Sequence, residues 1–128
     1  MPQTRETSVD AGRRPSDPAV EGTARNWLKL LDDGQWDASW KAAATDFRSQ
    51  ITAPQWQAMS QTVRAPLGTS TSRRFLGAVH STSLPGAPTG EYEVLQFRTD
   101  FANKAGAIET VTLVREGTAW RMAGYFIK

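Results

Sequence analysis

The longest alternation of apolar and polar residues in the chain runs from Glu91 to Leu113. It predicts two strands that fold about a short turn at residues 103–106, whose sequence is Asn-Lys-Ala-Gly. Other elements must pack on this hairpin or extend it, because an isolated two-stranded ribbon is at best marginally stable in water. Alternation also predicts a first strand over residues 70–81 and a fourth over residues 119–127. Four successive strands joined by short loops predict an antiparallel meander.

Before these strands, apolar residues recur at the helical spacings of three, four and seven. This period predicts a first helix that begins at Asp17-Pro18 and ends at Gly34, a second over residues 36–47 and a third over residues 52–65. Helices that precede an antiparallel sheet must cover one of its faces to bury their apolar sides. The predicted fold is therefore α+β, with three N-terminal helices packed on a four-stranded antiparallel meander.

The third predicted helix carries the clearest start signal. Thr52 and Gln55 have the spacing of a capping box, in which each side chain satisfies a free backbone amide of the other. The apolar stripe of this helix consists of Trp56, Met59 and Val63.

The composition is that of one globular domain. The chain has 128 residues, of which 39% are hydrophobic and 22% charged. Residues 1–17 lack periodic apolar positions and predict a flexible tail, which leaves residues 18–128 as the single domain. The 15 basic and 13 acidic residues give a net charge of only +2 and are interleaved, so a nucleic-acid partner is not expected.

Several kinds of chemistry are excluded by the residues present. There is no cysteine and only one histidine, so a disulfide, a thiolate metal site and a two-histidine zinc site cannot form within the chain. No phosphate-cradling or dinucleotide motif occurs, and no cofactor is predicted. No run approaches the roughly 20 apolar residues of a membrane helix. The sequence as written predicts a cytoplasmic protein, or a periplasmic or secreted one if a signal peptide has been removed.

Glu109 is the first candidate for chemistry, because it shares strand parity with Val111 and Leu113, two predicted core residues. A carboxylate on the covered face has a raised pKa or a cationic partner, and such groups concentrate at functional sites. Arg74 or Arg98 on a neighbouring strand is the predicted partner. The alternative interpretation is a cross-strand ion pair or a solvated residue at the sheet edge.

Several separated segments, in order and at matching spacing, resemble the DUF4019 family of bacterial domains. They are WLKLLDDGQWDASWKAAATDFRSQITAPQWQAM, VRAPLG, SRR, TSLPGAPTGEYEVLQFRTDFANKAGAIETVTLVREG and WRMAGYFIK. The resemblance covers about residues 19–128. It implies a small fold similar to cystatin-like or NTF2-like domains, with helices in the concavity of a curved antiparallel sheet. It implies no activity and supplies no catalytic residues.

The first functional hypothesis is a non-enzymatic module that binds a small ligand or another protein. It follows from the lack of a catalytic constellation and from the abundance of Trp and Phe, which suit a packed core or a shallow apolar pocket. An open sheet face is a possible homodimer interface. The predicted face bears Tyr92, Val94, Gln96 and Arg98.

The alternative hypothesis is a small-molecule enzyme that uses an NTF2-like pocket. In it, Glu109 acts as acid or base, and Tyr125 or Arg74 orients the ligand. This hypothesis depends on fold analogy and on the strand parity of Glu109.

Overall fold

The computed structural model describes residues 18–128, and the predicted tail of residues 1–17 lies outside the described residues. The helices are α1 (Pro18–Asp32), α2 (Trp36–Lys41), α3 (Thr45–Gln50) and α4 (Ala53–Arg64), followed by a 3₁₀ turn over Ala65–Leu67. The strands are β1 (Ser70–Ser81), β2 (Tyr92–Phe101), β3 (Lys104–Glu116) and β4 (Ala119–Ile127).

The four strands form one antiparallel sheet in the order β1-β2-β3-β4, which confirms the predicted α+β class and the meander. The bounds of β1 and β4 agree with the prediction. The turn between β2 and β3 consists of Ala102 and Asn103, slightly before the predicted position, because Phe101 already pairs with Lys104. Gly106, at φ 70°, then donates its backbone N–H to Asp100 Oδ1 at 2.7 Å.

The second predicted helix is divided into α2 and α3, so residues 18–128 contain four α-helices where three were predicted. The interruption lies where the chain touches β4. Ala43 forms an isolated parallel bridge with Met122, and Ala44 N–H donates to Met122 O at 2.7 Å. The Glu116 carboxylate accepts from Thr45 N–H at 2.8 Å and so caps α3. These tertiary hydrogen bonds override the high helix propensity of the alanines.

A β-bulge between Phe75 and Gly77 changes which side chains of β1 share a face. The strict alternation predicted through this strand is wrong beyond that point, because a bulge adds one residue to one strand only. Arg74 pairs with Arg98 on the outer face of the sheet, whereas His80 pairs with Glu93 on the inner face.

The core lies between α1 and the inner face of the sheet. The contribution of α1 to this core is Val20, Ala24, Trp27, Leu28 and Leu31. The sheet contributes Leu95, Phe97, Val111, Leu113 and Met122. Within residues 18–128, no helix is long and apolar enough to cross a membrane.

Candidate functional site

Glu109 is fully buried on the inner face of β3, and both its carboxylate oxygens accept hydrogen bonds. Oε1 accepts from Arg73 Nε at 2.8 Å and from Thr99 Oγ1 at 2.5 Å. Oε2 accepts from the Tyr125 hydroxyl at 2.5 Å. The position on the covered face is the one that strand parity predicted.

A second carboxylate, Asp32 at the end of α1, binds the same arginine, Arg73. It accepts two hydrogen bonds from Arg73, from Nη1 at 2.8 Å and from Nη2 at 3.0 Å, and one from Arg64 Nη2 at 2.6 Å. Arg64 Nη1 also lies 4.0 Å from Glu109 Oε2. We call Asp32, Arg64, Arg73 and Glu109 the charge cluster. Its two carboxylates balance its two guanidinium groups, so its net charge is zero.

The environment keeps Asp32 and Arg73 charged and Tyr125 neutral. Burial raises the pKa of Asp32, but the hydrogen bonds from Arg73 and Arg64 outweigh burial and hold the pKa below 3.8. Burial lowers the pKa of Arg73, yet Asp32 and Glu109 raise it by more, so this side chain stays cationic. Burial and then the charge of Glu109 raise the pKa of Tyr125 well above 10.0, and the phenol stays protonated.

The structure brings together two of the four predicted site residues, Glu109 and Tyr125. Arg74 and Arg98 are exposed on the outer face, opposite each other, and do not contact Glu109. The cationic partner of Glu109 is Arg73, which precedes Arg74 and therefore points to the inner face.

Four further members of the site were not predicted from the sequence. They are Asp32, Arg64, Arg73 and Thr99. Asp32 lies two residues before Gly34, the predicted end of the first helix, and a helix end by itself gives no reason to assign it to a site. The one available signal was the position of Arg73, whose alternation with Phe75 places both on the same face.

An open pocket of about 250 Å³ lies beside the charge cluster, between α4 and the end of β4. Its walls consist of Trp56, Met59, Ser60, Val63 and Arg64 from α4 with Tyr125, Phe126 and Ile127 from β4. The five residues of α4 recur at intervals of three and four, so one complete face of this helix lines the pocket. Of the predicted apolar stripe of this helix, Met59 and Val63 are therefore exposed in an open site, whereas Trp56 is buried in the core.

The outer part of this pocket is apolar and accessible. Met59 is 55% exposed, Val63 45% and Phe126 54%. These three are among the five large hydrophobic residues that are exposed within residues 18–128. Apolar exposure that is concentrated in one place marks a binding site more often than scattered single residues do.

The inner part of the pocket is polar and buried. Ser60 is 6% exposed and Arg64 7%. Ser60 Oγ, Arg64 Nε and Arg64 Nη1 find no hydrogen-bond partner among the described residues. A buried donor without a partner costs roughly 1–3 kcal/mol, and these three atoms have almost no exposed surface of their own.

A wider depression of about 530 Å³ lies on another side of Arg64. Its walls include Asp32, Gln61 and Thr69, and it lacks the cluster of half-exposed apolar side chains found at the first pocket. Across residues 18–128, no group of three or more His, Cys, Asp or Glu is arranged to hold a metal ion. The pocket between α4 and β4 is therefore the better candidate site.

The fold and the pocket define a small α+β domain in which helices cover one face of an open antiparallel sheet. The chain belongs to the DUF4019 family, described as "Protein of unknown function (DUF4019)", whose model matches residues 23–125. No curated protein and no solved structure matches the chain.

Proposed function

We propose that residues 18–128 form a single domain that binds a small, mostly apolar molecule without transforming it, in the pocket between α4 and β4. The observation that carries this proposal is the group of half-exposed apolar side chains, Met59, Val63 and Phe126, that line one open pocket. Ligand sites typically combine an apolar lining with a few convergent polar groups.

The size of the pocket sets the size of the ligand. At about 250 Å³ it is smaller than the roughly 300–1,000 Å³ of drug-sized sites. An apolar cavity of about 150 Å³ is nevertheless large enough to bind benzene. The pocket therefore suits a molecule with one ring or a short chain, with further atoms extending through its open mouth.

Hydrogen bonds to the carboxylates of the charge cluster hold two residues that line this pocket, Arg64 and Tyr125. Arg64 is held by Asp32 at 2.6 Å, and Tyr125 is held by Glu109 at 2.5 Å. Both lining residues are thus held in place by these hydrogen bonds. Preorganised walls reduce the ordering cost of binding.

The same bonds favour binding over catalysis by Glu109. A general base must reach the proton that it abstracts. The oxygens of Glu109 already accept hydrogen bonds from Arg73, Thr99 and Tyr125. Glu109 is also fully buried, so in the alternative enzyme hypothesis a substrate would reach its carboxylate only after the surrounding side chains moved.

A fragment screen by ligand-observed NMR tests the proposal on the full chain. Met59→Glu places a charge on the half-exposed apolar wall and should abolish binding of the fragments that bind the unmodified protein. Gln57→Glu is the matched control, because Gln57 is exposed on the same helix and is not a lining residue. Fragments that bind both variants equally, or a screen without binders, would contradict the proposed function.

A second candidate function is homodimerisation through the outer face of the sheet. Leu76 is 48% exposed and Val79 47%, both on β1. Next to them, Arg74 pairs with Arg98, and like charges directly opposite each other are destabilising. Asp100 lies in the same corner, close enough for the charges of Arg98 and Arg74 to contribute to lowering its pKa.

The residues of the predicted interface differ in how well they suit this role. Gln96 and Arg98 are exposed and Val94 is half-buried. Tyr92 is buried, and its hydroxyl donates to Pro88 O at 2.5 Å in the loop before β2. A dimer contact would therefore centre on β1 and the adjacent part of β2.

A further inference from the structure

Two arginines lie side by side on the outer face of the sheet, on the side opposite the charge cluster. Arg74 on β1 pairs directly with Arg98 on β2, and both side chains are exposed. Residues that are directly opposite on antiparallel strands have Cβ atoms about 4.5–5.5 Å apart, and like charges at this spacing destabilise the sheet. Within residues 18–128, neither guanidinium group forms an ion pair or a hydrogen bond. Their donors are therefore accessible to a ligand from solvent.

The carboxylate of Asp100 lies beside this pair but is bound by other groups. Its Oδ1 accepts from Gly106 N–H at 2.7 Å, and its Oδ2 accepts from Ser72 Oγ at 3.2 Å. These two bonds, and then the charges of Arg98 and Arg74, hold the pKa of Asp100 below 3.8. The carboxylate is therefore ionised at neutral pH, and the two arginines with Asp100 carry a net charge of +1.

The side chain of Arg98 lies against the backbone near the start of β3, where Gly106 leaves room for it. A Cβ atom at position 106 would lie 3.2 Å from Arg98 Nη2 and 3.6 Å from Arg98 Cζ. Gly106 also has φ 70°, a conformation that favours glycine. Contact with this segment restricts the guanidinium group before a ligand arrives, which reduces the ordering cost of binding.

The shape and the donors of this place fit an oxyanion. An open depression of about 320 Å³ is lined by Ser72, Arg73, Arg74, Arg98 and Asp100. The planar fork of a guanidinium group matches carboxylate and phosphate oxygens bidentately. A carboxylate has two oxygens, which a single fork already occupies. A phosphate group presents at least three, so it can accept hydrogen bonds from both arginines at once.

We propose that the outer face of the sheet binds the phosphate group of a small soluble molecule, such as a phosphate monoester, between Arg74 and Arg98. This site is separate from the pocket between α4 and β4, so the inference goes beyond the proposed function. The phosphate offsets the repulsion between the two guanidinium groups, while Asp100 keeps its bonds to Gly106 and Ser72.

A titration of the full chain at neutral pH, followed by the arginine Nε–H signals in NMR, tests the proposal. Inorganic phosphate is the probe, and sodium chloride at matched ionic strength is the reference. We expect the signals of Arg74 and Arg98, identified from the variants that lack them, to shift and saturate with phosphate and to shift little with chloride. Acetate should bind at least about fivefold more weakly than phosphate, because it occupies one fork only.

Variants separate recognition by the fork from general attraction of charge. Arg98→Gln should weaken phosphate binding by about fivefold or more. Arg98→Lys keeps the charge without the planar fork, so we expect an intermediate loss. Arg121→Gln is the matched control, since it removes the same charge from β4, where Arg121 already pairs with Glu116 at 3.4 Å. Its affinity for phosphate should be that of the unmodified protein.

Asp100→Asn gives a change of the opposite sign. Asparagine retains an oxygen that can accept from Gly106 N–H, whereas the negative charge beside the two arginines is lost. We expect phosphate to bind about threefold more tightly to this variant, because the ligand no longer meets a like charge. Weaker binding to Asp100→Asn would contradict the placement of the phosphate beside Asp100.

Other outcomes would overturn the proposal. Equal shifts with phosphate and chloride, or an equal loss of affinity in Arg98→Gln and Arg121→Gln, would reduce the effect to charge screening. Full affinity in Arg98→Lys would exclude recognition by the fork, and acetate that binds as tightly as phosphate would exclude the phosphate class. Signals that change with protein concentration instead of phosphate would make a second copy the occupant. Because Met59→Glu leaves this site unchanged, the two proposals can fail separately.

Discussion

At the scale of single residues, Glu109 shows how this fold accommodates a charge inside its core. A fully buried carboxylate is strongly unfavourable unless it is paired and hydrogen-bonded. Here Arg73 supplies the opposite charge at 2.8 Å, while Thr99 and Tyr125 satisfy further lone pairs. The protein therefore tolerates Glu109 only as part of a complete set of partners.

The first prediction concerns Glu109→Gln, which keeps the shape of the side chain and removes its charge. We expect the free energy of unfolding to fall by about 3 kcal/mol, because Arg73 then keeps one buried carboxylate partner in place of two. Urea unfolding at neutral pH measures this change. Glu21→Gln serves as the control, since Glu21 forms a partly exposed i,i+4 pair with Arg25, and its loss should cost less than about 0.5 kcal/mol. Equal stabilities of the two variants would contradict a paired, buried Glu109.

The second prediction concerns pH and Asp32, whose pKa in the folded protein is below its ordinary value of 3.8. The folded state therefore binds fewer protons than the unfolded state near this pH. The stability contributed by the ion pair is fully present above this ordinary, unfolded pKa and is lost as the pH falls through the lower, folded pKa.

We expect Asp32→Asn to lower the free energy of unfolding by about 3 kcal/mol at neutral pH, with the difference shrinking below about pH 4. Urea unfolding as a function of pH measures this. Asp33→Asn changes the neighbouring exposed residue, which pairs with Lys29 only on the surface. The prediction is wrong if the deficit of Asp32→Asn persists unchanged in acid.

At the scale of elements, α4 is the best-predicted helix and the one that matters most for the site. Its capping box is present as expected, with Gln55 N–H donating to Thr52 Oγ1 at 3.3 Å and Thr52 N–H donating to Gln55 Oε1 at 2.9 Å. Local rules sufficed here because the bonds join residues that are three apart. They did not show that Met59 and Val63 would remain half exposed, since exposure depends on which element packs opposite.

The third prediction concerns Thr52→Ala, which removes one half of the capping box. We expect a loss of about 1 kcal/mol in the free energy of unfolding. Thr62→Ala, at an exposed site within the same helix, should be neutral or slightly stabilising, because alanine is the better helix former. Thermal unfolding followed by circular dichroism compares the two. A Thr52→Ala protein as stable as Thr62→Ala would argue against a contribution from the cap.

The interruption between α2 and α3 shows the opposite case, in which local sequence is misleading. The stretch Ala42-Ala43-Ala44 has the highest helix propensity available, so the pattern predicts one continuous helix. The hydrogen bond from Ala44 N–H to Met122 O joins residues far apart in the chain, and no local pattern indicates it. The bulge in β1 likewise has no local signal. Simple alternation therefore assigns the residues that follow Phe75 to the wrong faces of the sheet.

At the scale of the whole molecule, the charge cluster is assembled from distant parts of the chain. Asp32 lies 41 residues before Arg73, and Arg73 lies 36 residues before Glu109. Alternation placed Glu109 on the covered face, but register and helix docking decide which arginine meets it. The sequence therefore predicts the sheet and the buried carboxylate, whereas the partners and the pocket emerge only from the assembled fold.

The fourth prediction concerns the outer face of the sheet, which is not covered by helices. If two copies pack through β1, Val79 lies near the centre of the contact, and Val79→Lys buries an ammonium group there without a partner. We expect dissociation to increase by roughly 30-fold or more, since burying a charge without a partner costs at least about 2 kcal/mol. Light scattering coupled to gel filtration, over a concentration series, measures the dimer fraction. Thr118→Lys is the control, because it adds the same charge at an exposed turn between β3 and β4.

The salt dependence of the same measurement tests the charge complementarity of that contact. If Asp100 of one copy pairs with Arg74 or Arg98 of the other, we expect the dimer to weaken as ionic strength rises, because the Debye length shortens from about 10 Å at 0.1 M to about 3 Å at 1 M. A dimer held by Leu76 and Val79 alone would persist or strengthen in high salt. A strict monomer at every protein concentration, or a Val79→Lys protein that associates as the Thr118→Lys control does, would exclude the outer face as an interface. The pocket between α4 and β4 would then be the remaining apolar candidate binding site among residues 18–128.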